Sequence, residues 1–397
     1  MRRLRRPPEE ERRATSAELF FDLVFVFVVT QLAAQLAHDL TLAGAGRTLF
    51  LLLAAWWAWI YTTWVTNWFD ADTDVVRAIL LVGMLAGLLG AIAIPHAFGD
   101  RALLLVAGYV GIQSFRNAFI VLATNPDDPL YRPFQRILGW TLLVAPLWLL
   151  GALLDGDARI AVWVVALVVD YAGPFAGHRL PGLGRSRPQD WHLEPSHFVE
   201  RLELFLIIAL GESIVDSGVT ASALDPTAAR LAALLVSVLI TAVLWWLYFD
   251  VHADRTLERL RAAADERGRL GRDLSYLFIP LIAGIIAAAV ANELVISAPG
   301  RVRHGPELVV IAAGPVLYLV GSVALKIRVL HARWGRRLVA AVLVATATAL
   351  GHGLPGLVLW TIVLAILAAL AVVESVEARR APAGSLEARR RDLVPTP

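Results

Sequence analysis

No cysteine occurs in the 397 residues of this chain, which excludes disulfides, thiolate metal sites and thiol nucleophiles. Lysine is almost as scarce, with Lys326 standing alone among 36 basic residues. Charge of either sign is thin, at 18% of residues where a soluble domain carries about a quarter. The two signs nearly cancel to +2, so no basic surface for nucleic acid is implied. Three further signatures are missing: a G-x-x-x-x-G-K-[ST] phosphate loop, an H-E-x-x-H zinc helix and a G-x-S-x-G elbow. An ATP-driven pump or a familiar membrane hydrolase therefore finds no support, and the sequence offers no cofactor or metal site.

What is present is apolar. Hydrophobic residues make up 58% of the chain, and the mean hydropathy is +0.64. Runs of about 20 apolar residues, the length that crosses a bilayer, follow one another with short polar breaks. They predict spans at 17–38, 47–68, 76–97, 101–123, 134–154 and 158–177, then at 198–219, 228–250, 274–296, 307–328, 334–351 and 354–374. The first run is too long for a signal-peptide core and is read as retained. The fold class is an all-α integral membrane protein of about twelve transmembrane helices. Its expected organisation is a cytoplasmic tail at 1–16, a six-helix half at 17–177, a cytoplasmic linker at 178–197, a second half at 198–374 and a cytoplasmic tail at 375–397. The stretch 253–273 reads as a charged cytoplasmic helix.

Orientation follows from arginine and lysine, which stay on the cytoplasmic side of short loops. With the amino terminus inside, 28 of the 36 basic residues fall in cytoplasmic segments and six in outer ones, while Arg116 and Arg201 lie in spans. The halves also resemble each other. Glu18-Leu19-Phe20-Phe21 answers Glu203-Leu204-Phe205-Leu206, and Trp56-Trp57 with Phe69-Asp70 answers Trp245-Trp246 with Phe249-Asp250. A six-helix unit repeated in parallel accounts for this; chance likeness between aromatic membrane helices is the competing explanation.

An ionised side chain in the membrane costs about 2.5 to 3.5 kcal/mol on insertion scales, so each needs a partner or a task. Glu18 and Asp22 are four apart and share a helix face; the pair forms either a cation or proton site, or a carboxylate couple neutralised by an arginine. His197, Arg201 and Glu212 make a stripe along the seventh span, flanked by Glu200 and Glu203, with Ser213 beside Glu212. The stripe is either a polar pathway or an ion-pair lock in which Arg201 meets Glu200 or Glu18. Gln113, Arg116 and Asn117 form a polar group in the fourth span, with Asp22 or Glu212 as the natural counter-charge for Arg116. Asp70 and Asp250, each after a tryptophan-rich stretch typical of interfacial anchoring, are secondary candidates, and His252 follows Asp250. Asp170, Asn292 and Glu293 read as helix-end residues meeting water.

Two segments, Ser16-Ala17-Glu18-Leu19-Phe20-Phe21-Asp22-Leu23-Val24-Phe25-Val26-Phe27 and His197 to Ser213, with its His197-Phe198-Val199-Glu200-Arg201 and Ile207-Ile208-Ala209-Leu210-Gly211-Glu212-Ser213, resemble the bacterial low temperature requirement protein A family. The likeness covers residues 15–375. It implies a multi-pass membrane protein of the bacterial inner membrane, linked by name to growth in the cold, and no particular reaction. The chain departs from the family at Phe278, where a histidine is frequent, so no histidine role in that span carries over. Three functions remain open at this point. One is passage of a small solute or ion through spans one and seven. Another is a non-catalytic membrane factor for low-temperature growth, and the third an enzyme at the cytoplasmic leaflet using Asp70, Asp250 and His252. The expected partner is the lipid bilayer, with no nucleic acid, and a homo-oligomer is compatible with the sequence.

Overall fold

The computed structural model describes residues 13–187, 190–191, 193–250 and 253–380. Residues 375–380 of the expected carboxyl-terminal tail continue the last helix, while residues 1–12 and 381–397 of the tails, and His252, lie outside the described residues. Within them the chain is helical and holds no strand. Six helices come first: α1 Ser16–His38, α2 Leu42–Trp68, α3 Asp74–Ala93, α4 Ala102–Ala123, α5 Tyr131–Leu153 and α6 Gly156–Ala176. They are followed by α7 Pro195–Ser222, α8 Ala228–Phe249, the short α9 Ala253–Ala262 and α10 Arg267–Leu277, then α11 Ile279–Ser297, α12 Pro306–Leu325, α13 Gly335–Leu350 and α14 Gly356–Arg380. Eleven are long and apolar enough to cross a membrane. The twelfth expected span is α13, whose 16 residues rise about 24 Å.

Threonine sets four of the starts. The side chains of Thr15, Thr41, Thr73 and Thr227 accept from the amides of Glu18, Gly44, Val76 and Arg230, satisfying donors that a helix leaves open at its first turn. Stops are equally local: α6 ends at Gly177 in the left-handed region (φ 61°). The charged segment 253–273 forms two helices, with a 3-10 turn at Ala264–Glu266 between them. Pro280 then separates α10 from α11, because it lacks the amide that a continuous helix needs. Phe278 at that break is fully buried and meets Tyr248 edge to face at 5.7 Å.

The chain divides into two compact units, Met1–Arg201 with Asp265–Arg272, and Leu202–Ala264 with Asp273–Pro397. In the first, α3, α4, α5 and α6 pack in sequence, α1 lies on α3, and α2 touches α1, α4 and α6. In the second, α11, α12, α13 and α14 pack in sequence, and α8 lies on α14 and α11. Each unit contains one helix pair joined backbone to backbone. A Cβ added at Gly108 of α4 would come within 2.6 Å of the Ala86 carbonyl oxygen and 2.7 Å of the Gly90 nitrogen, both on α3. In the second unit, a Cβ on Gly284 of α11 would come within 2.6 Å of the Tyr318 nitrogen, and one on Gly314 of α12 within 2.7 Å of the Ala288 nitrogen. Small residues permit such approach where lipid supplies no hydrophobic drive.

The tryptophans correct one expectation. Trp56, Trp57 and Trp59 are 1%, 2% and 0% exposed, whereas Trp245 and Trp246 are 44% and 43% exposed. The first set is core, with Trp57 stacked on Tyr171 at 3.9 Å; only the second matches interfacial anchoring. The two pairs therefore occupy different environments despite their similar sequence.

The segment after α6 is held down. The Ser186 amide donates to the Gly177 carbonyl at 2.8 Å, and Arg136 of α5 donates to the Leu183 carbonyl at 2.8 Å and the Ser186 hydroxyl at 3.2 Å. His178 is buried there with its Nε2 2.8 Å from the Tyr61 hydroxyl. Burial pushes its pKa from 6.5 down to about 3.

Two outcomes follow. Gly108→Leu must force α3 and α4 apart, and it should lower the detergent melting temperature far more than Gly111→Leu, where a Cβ meets open space. Between about 6.5 and 3 the unfolded chain binds a proton that folded His178 refuses, so stability present above pH 6.5 is lost as pH falls through that window. His178→Phe should flatten that part of the melting-temperature profile.

Candidate functional site

Thr15 and Glu18 close a capping box at the start of α1. The Thr15 amide and hydroxyl both donate to Glu18 Oε2, each at 2.9 Å, which turns the carboxylate inward. On α7 the first turn is capped by Glu194, whose oxygens accept from the His197 amide at 2.6 Å and the Ser196 amide at 3.1 Å. These two starts bring His197 Nε2 to 2.7 Å from Glu18 Oε1. One turn further along each helix, Arg201 grips Asp22 in a two-pronged pair, Nη1 to Oδ2 at 2.5 Å and Nη2 to Oδ1 at 2.8 Å. Trp59 of α2 donates to the same Oδ1 at 2.8 Å, and its ring lies 5.5 Å from the guanidinium carbon. Glu18, Asp22, His197 and Arg201 have no exposed surface.

Asn67 assigns the imidazole tautomer. Its Oδ1 accepts from the Glu194 amide at 2.9 Å, and its Nδ2 donates to the Glu194 carbonyl at 2.9 Å. Those two backbone bonds fix which end of the side-chain amide is which. Nδ2 also lies 3.2 Å from His197 Nδ1, so Nδ1 must accept and the ring proton sits on Nε2, donated to Glu18. The imidazole in this arrangement is neutral. Two carboxylates then face one guanidinium, Arg201 Nε being 3.9 Å from Glu18 Oε1, and one negative charge remains. The amino ends of α1 and α7, each worth roughly half a positive charge, lie beside it.

Other expected members go elsewhere. Glu200 accepts from the Ala14 amide at 2.8 Å; Arg201 is paired with Asp22. Arg116 does not use Asp22 either. Its Nη1 donates to the Ala58 carbonyl at 3.2 Å and the Thr62 hydroxyl at 3.1 Å, its Nε to Asn117 at 3.3 Å and its Nη2 to Gln113 Oε1. Among the described residues no carboxylate is within ion-pair distance of it. Gln113 Nε2 reaches the Tyr109 hydroxyl at 3.5 Å, and that hydroxyl donates to Asp170 at 2.8 Å, beside Trp148 Nε1 at 2.9 Å. Asp170 is thus no water-facing helix end but the far terminus of a buried chain leading to Arg116. Asn117 holds the Thr141 hydroxyl at 3.0 Å. Asp70 shapes the turn before α3, accepting from the Asp72 amide at 3.1 Å.

In the second unit Glu212 and Ser213 are buried, and Glu203 is half-buried. Asn292, expected at a wet helix end, is fully buried; it donates to the Ser213 hydroxyl at 3.2 Å and accepts from Trp360 Nε1 at 3.0 Å. Asp250 accepts from the Ser375 hydroxyl at 2.6 Å. Lys326 and Arg337 both converge on Glu374, at 2.6 Å each. Sequence reasoning passed over Asn67, Trp59, Tyr109 and this triad. A polar residue at the end of an aromatic span was the only signal for Asn67, and a buried charge at a predicted span boundary the only one for the triad.

The Arg201–Asp22 pair yields a prediction. Asp22→Asn leaves a buried guanidinium short of its counter-charge and should cost on the order of 3–5 kcal/mol, read as a lowered melting temperature of the purified protein. Adding Arg201→Met should recover most of that loss.

The chain is 33% identical over 328 residues to a protein of Rhizobium meliloti (strain 1021) described as uncharacterized, covering 81% of this chain and 79% of that one. No solved structure matches it. The family model for the bacterial low temperature requirement A protein matches residues 13–372. With nearly its whole length matched, and with eleven helices long and apolar enough to span a bilayer, the chain is a multi-pass helical membrane protein that belongs to the bacterial low temperature requirement A protein family.

Proposed function

We propose that the protein passes a proton or small cation across the bacterial cytoplasmic membrane, with Glu18 as the group that takes it up. The observation that carries this reading is the negative charge left at Glu18, Asp22 and Arg201 once Asn67 commits His197 to the neutral form. Buried ion pairs are poor sources of stability, and apolar packing usually serves as well. Ionisable groups kept inside a membrane span mark ion paths more often than glue. In this reading Glu18 accepts the ion, His197 passes or withholds the Nε2 proton, and the bound Arg201–Asp22 pair sets the field. Glu200, Arg116 and Asn117 shape the path within the first unit; Glu203, Glu212 and Ser213 are the polar candidates of the second unit, taken by itself.

Orientation supports the same picture. The segregation of arginines supports a cytoplasmic side for both termini, and the first turn of α1, where Glu18 is buried, would then lie near that side. The halves 17–177 and 198–374 are read as parallel repeats, supported by the common packing order and the paired glycine contacts, with the tryptophan environments as the main departure. A homo-oligomer would fit the exposed apolar helix faces. Asp250 is engaged with Ser375, which gives the enzyme reading no support.

One observation favours a second reading. Both oxygens of Asp22 and of Glu18 already hold donors, the condition expected of a lock that fixes α1, α2 and α7 together. Flux measurement separates the two. The purified protein in liposomes should carry protons or a monovalent cation, and Glu18→Gln should cut that flux at least tenfold while melting within a few degrees of the natural protein; Glu212→Gln tests the second unit in the same assay. Unchanged flux in Glu18→Gln would sink the ion-path reading. Absent flux from the natural protein, with a large melting loss in the variant, would leave the lock.

A further inference from the structure

The second unit contains a buried charge group of opposite sign. Lys326 ends α12 and begins a π-helical turn, Lys326–Leu330, a distortion often found at functional positions. Its Nζ bonds Glu374 Oε1 of α14 at 2.6 Å. Arg337, in the first turn of α13, bonds the same carboxylate through Nε at 3.2 and 3.1 Å and through Nη2 at 2.6 Å, and Nη2 also donates to the Leu247 carbonyl of α8 at 2.6 Å. Lys326, Arg337 and Glu374 are 4%, 0% and 8% exposed. Two cations therefore share one carboxylate, and among the described residues no other carboxylate is within ion-pair distance of either.

Donors are left over as well as charge. Arg337 Nη1 is buried and has no partner, and of the three hydrogens on Nζ one is used. The start of α13 adds to the same sign: Trp334 caps it without a side-chain bond, no acidic residue occurs in its first turn, and its open amides favour an anion. A buried guanidinium edge with no acceptor is costly to leave unsatisfied, so the arrangement is incomplete as it stands.

We propose that Lys326 and Arg337 bind one oxyanion of the phosphate class, held by Arg337 Nη1 and the remaining Nζ hydrogens, with Glu374 keeping both cations in place. The fork of arginine fits two phosphate oxygens, and lysine supplies a point charge beside it. The anion is either the headgroup of an anionic lipid or free phosphate. This inference does not depend on the ion path argued for α1 and α7.

The test uses the full-length purified protein. Inorganic phosphate, added in detergent at constant ionic strength with chloride as the balancing salt, should raise the melting temperature if free phosphate is the ligand. Phosphatidylglycerol in phosphatidylcholine nanodiscs should raise it, and phosphate should not, if the ligand is a headgroup. In either case the half-saturating concentration should rise at least tenfold in Lys326→Gln and in Arg337→Gln, and stay unchanged in Arg336→Gln, whose side chain is half-exposed and pairs with Glu377. Should Arg337→Gln not fold, Arg337→Lys keeps the charge and loses the fork, and must still weaken binding several-fold. No shift with either probe, or a half-saturating concentration in the Lys326 and Arg337 variants equal to that of the natural protein, overturns the proposal.

Discussion

Arginine keeps its charge at any depth, so a chain that buries Arg116, Arg159, Arg201, Arg303 and Arg337 must build an acceptor cage around each. The cages differ in kind. Arg201 meets a carboxylate directly. Arg116 is surrounded by a carbonyl, two amide oxygens and a hydroxyl, and reaches Asp170 only through Gln113 and Tyr109. Arg159 collects the carbonyls of Gly99, Gly151 and Leu154, groups that helix ends and turns would otherwise leave without donors in lipid. Arg303 does likewise with Leu294 and Ala298. Arg116, Arg159, Arg201 and Arg337 thus tie together segments far apart in sequence, whereas Arg303 closes a local turn.

Each unit taken by itself holds an ionic group with a residual charge, and the two residual charges differ in sign. Glu18, Asp22 and Arg201 retain a negative charge, while Lys326, Arg337 and Glu374 retain a positive one. Neither imbalance comes from composition, since the whole chain is close to neutral. Each arises from geometry: a fixed imidazole tautomer in the first case, two cations converging on one glutamate in the second. Low dielectric makes such residual charges influential over longer distances than at a wet surface.

Most of the helices were legible in sequence because bilayer thickness dictates one length and one composition. Even the weakest span, α13, is found at 335–350 against an expected 334–351. Boundaries failed where local chemistry overrode hydropathy, as at Pro280, where the expected span from 274 loses its first turn to α10. The pairing of Glu18 and Asp22 with α7 was half visible, since two carboxylates and two bases at i, i+4 spacing call for each other. Asn67 showed only as a polar residue at the end of an aromatic span, with nothing to mark its role. Its role depends on meeting a backbone amide 127 residues away, and no pattern within one helix encodes that. Asp170 misled for a similar reason: position near a span end suggested water, and only the tertiary neighbours Tyr109 and Trp148 show otherwise.

The glycine contacts have a mechanical consequence. Where α3 meets α4 through Gly108, and α11 meets α12 through Gly284 and Gly314, there are hardly any side chains between the backbones to change rotamer or slide. Such a seam behaves as a rivet: it holds in one register or opens entirely, with no gradual compliance between. Any working motion within either unit must then be carried by the helices outside the riveted pair, and those are the ones on which Asp22, Arg201, Arg337 and Glu374 sit.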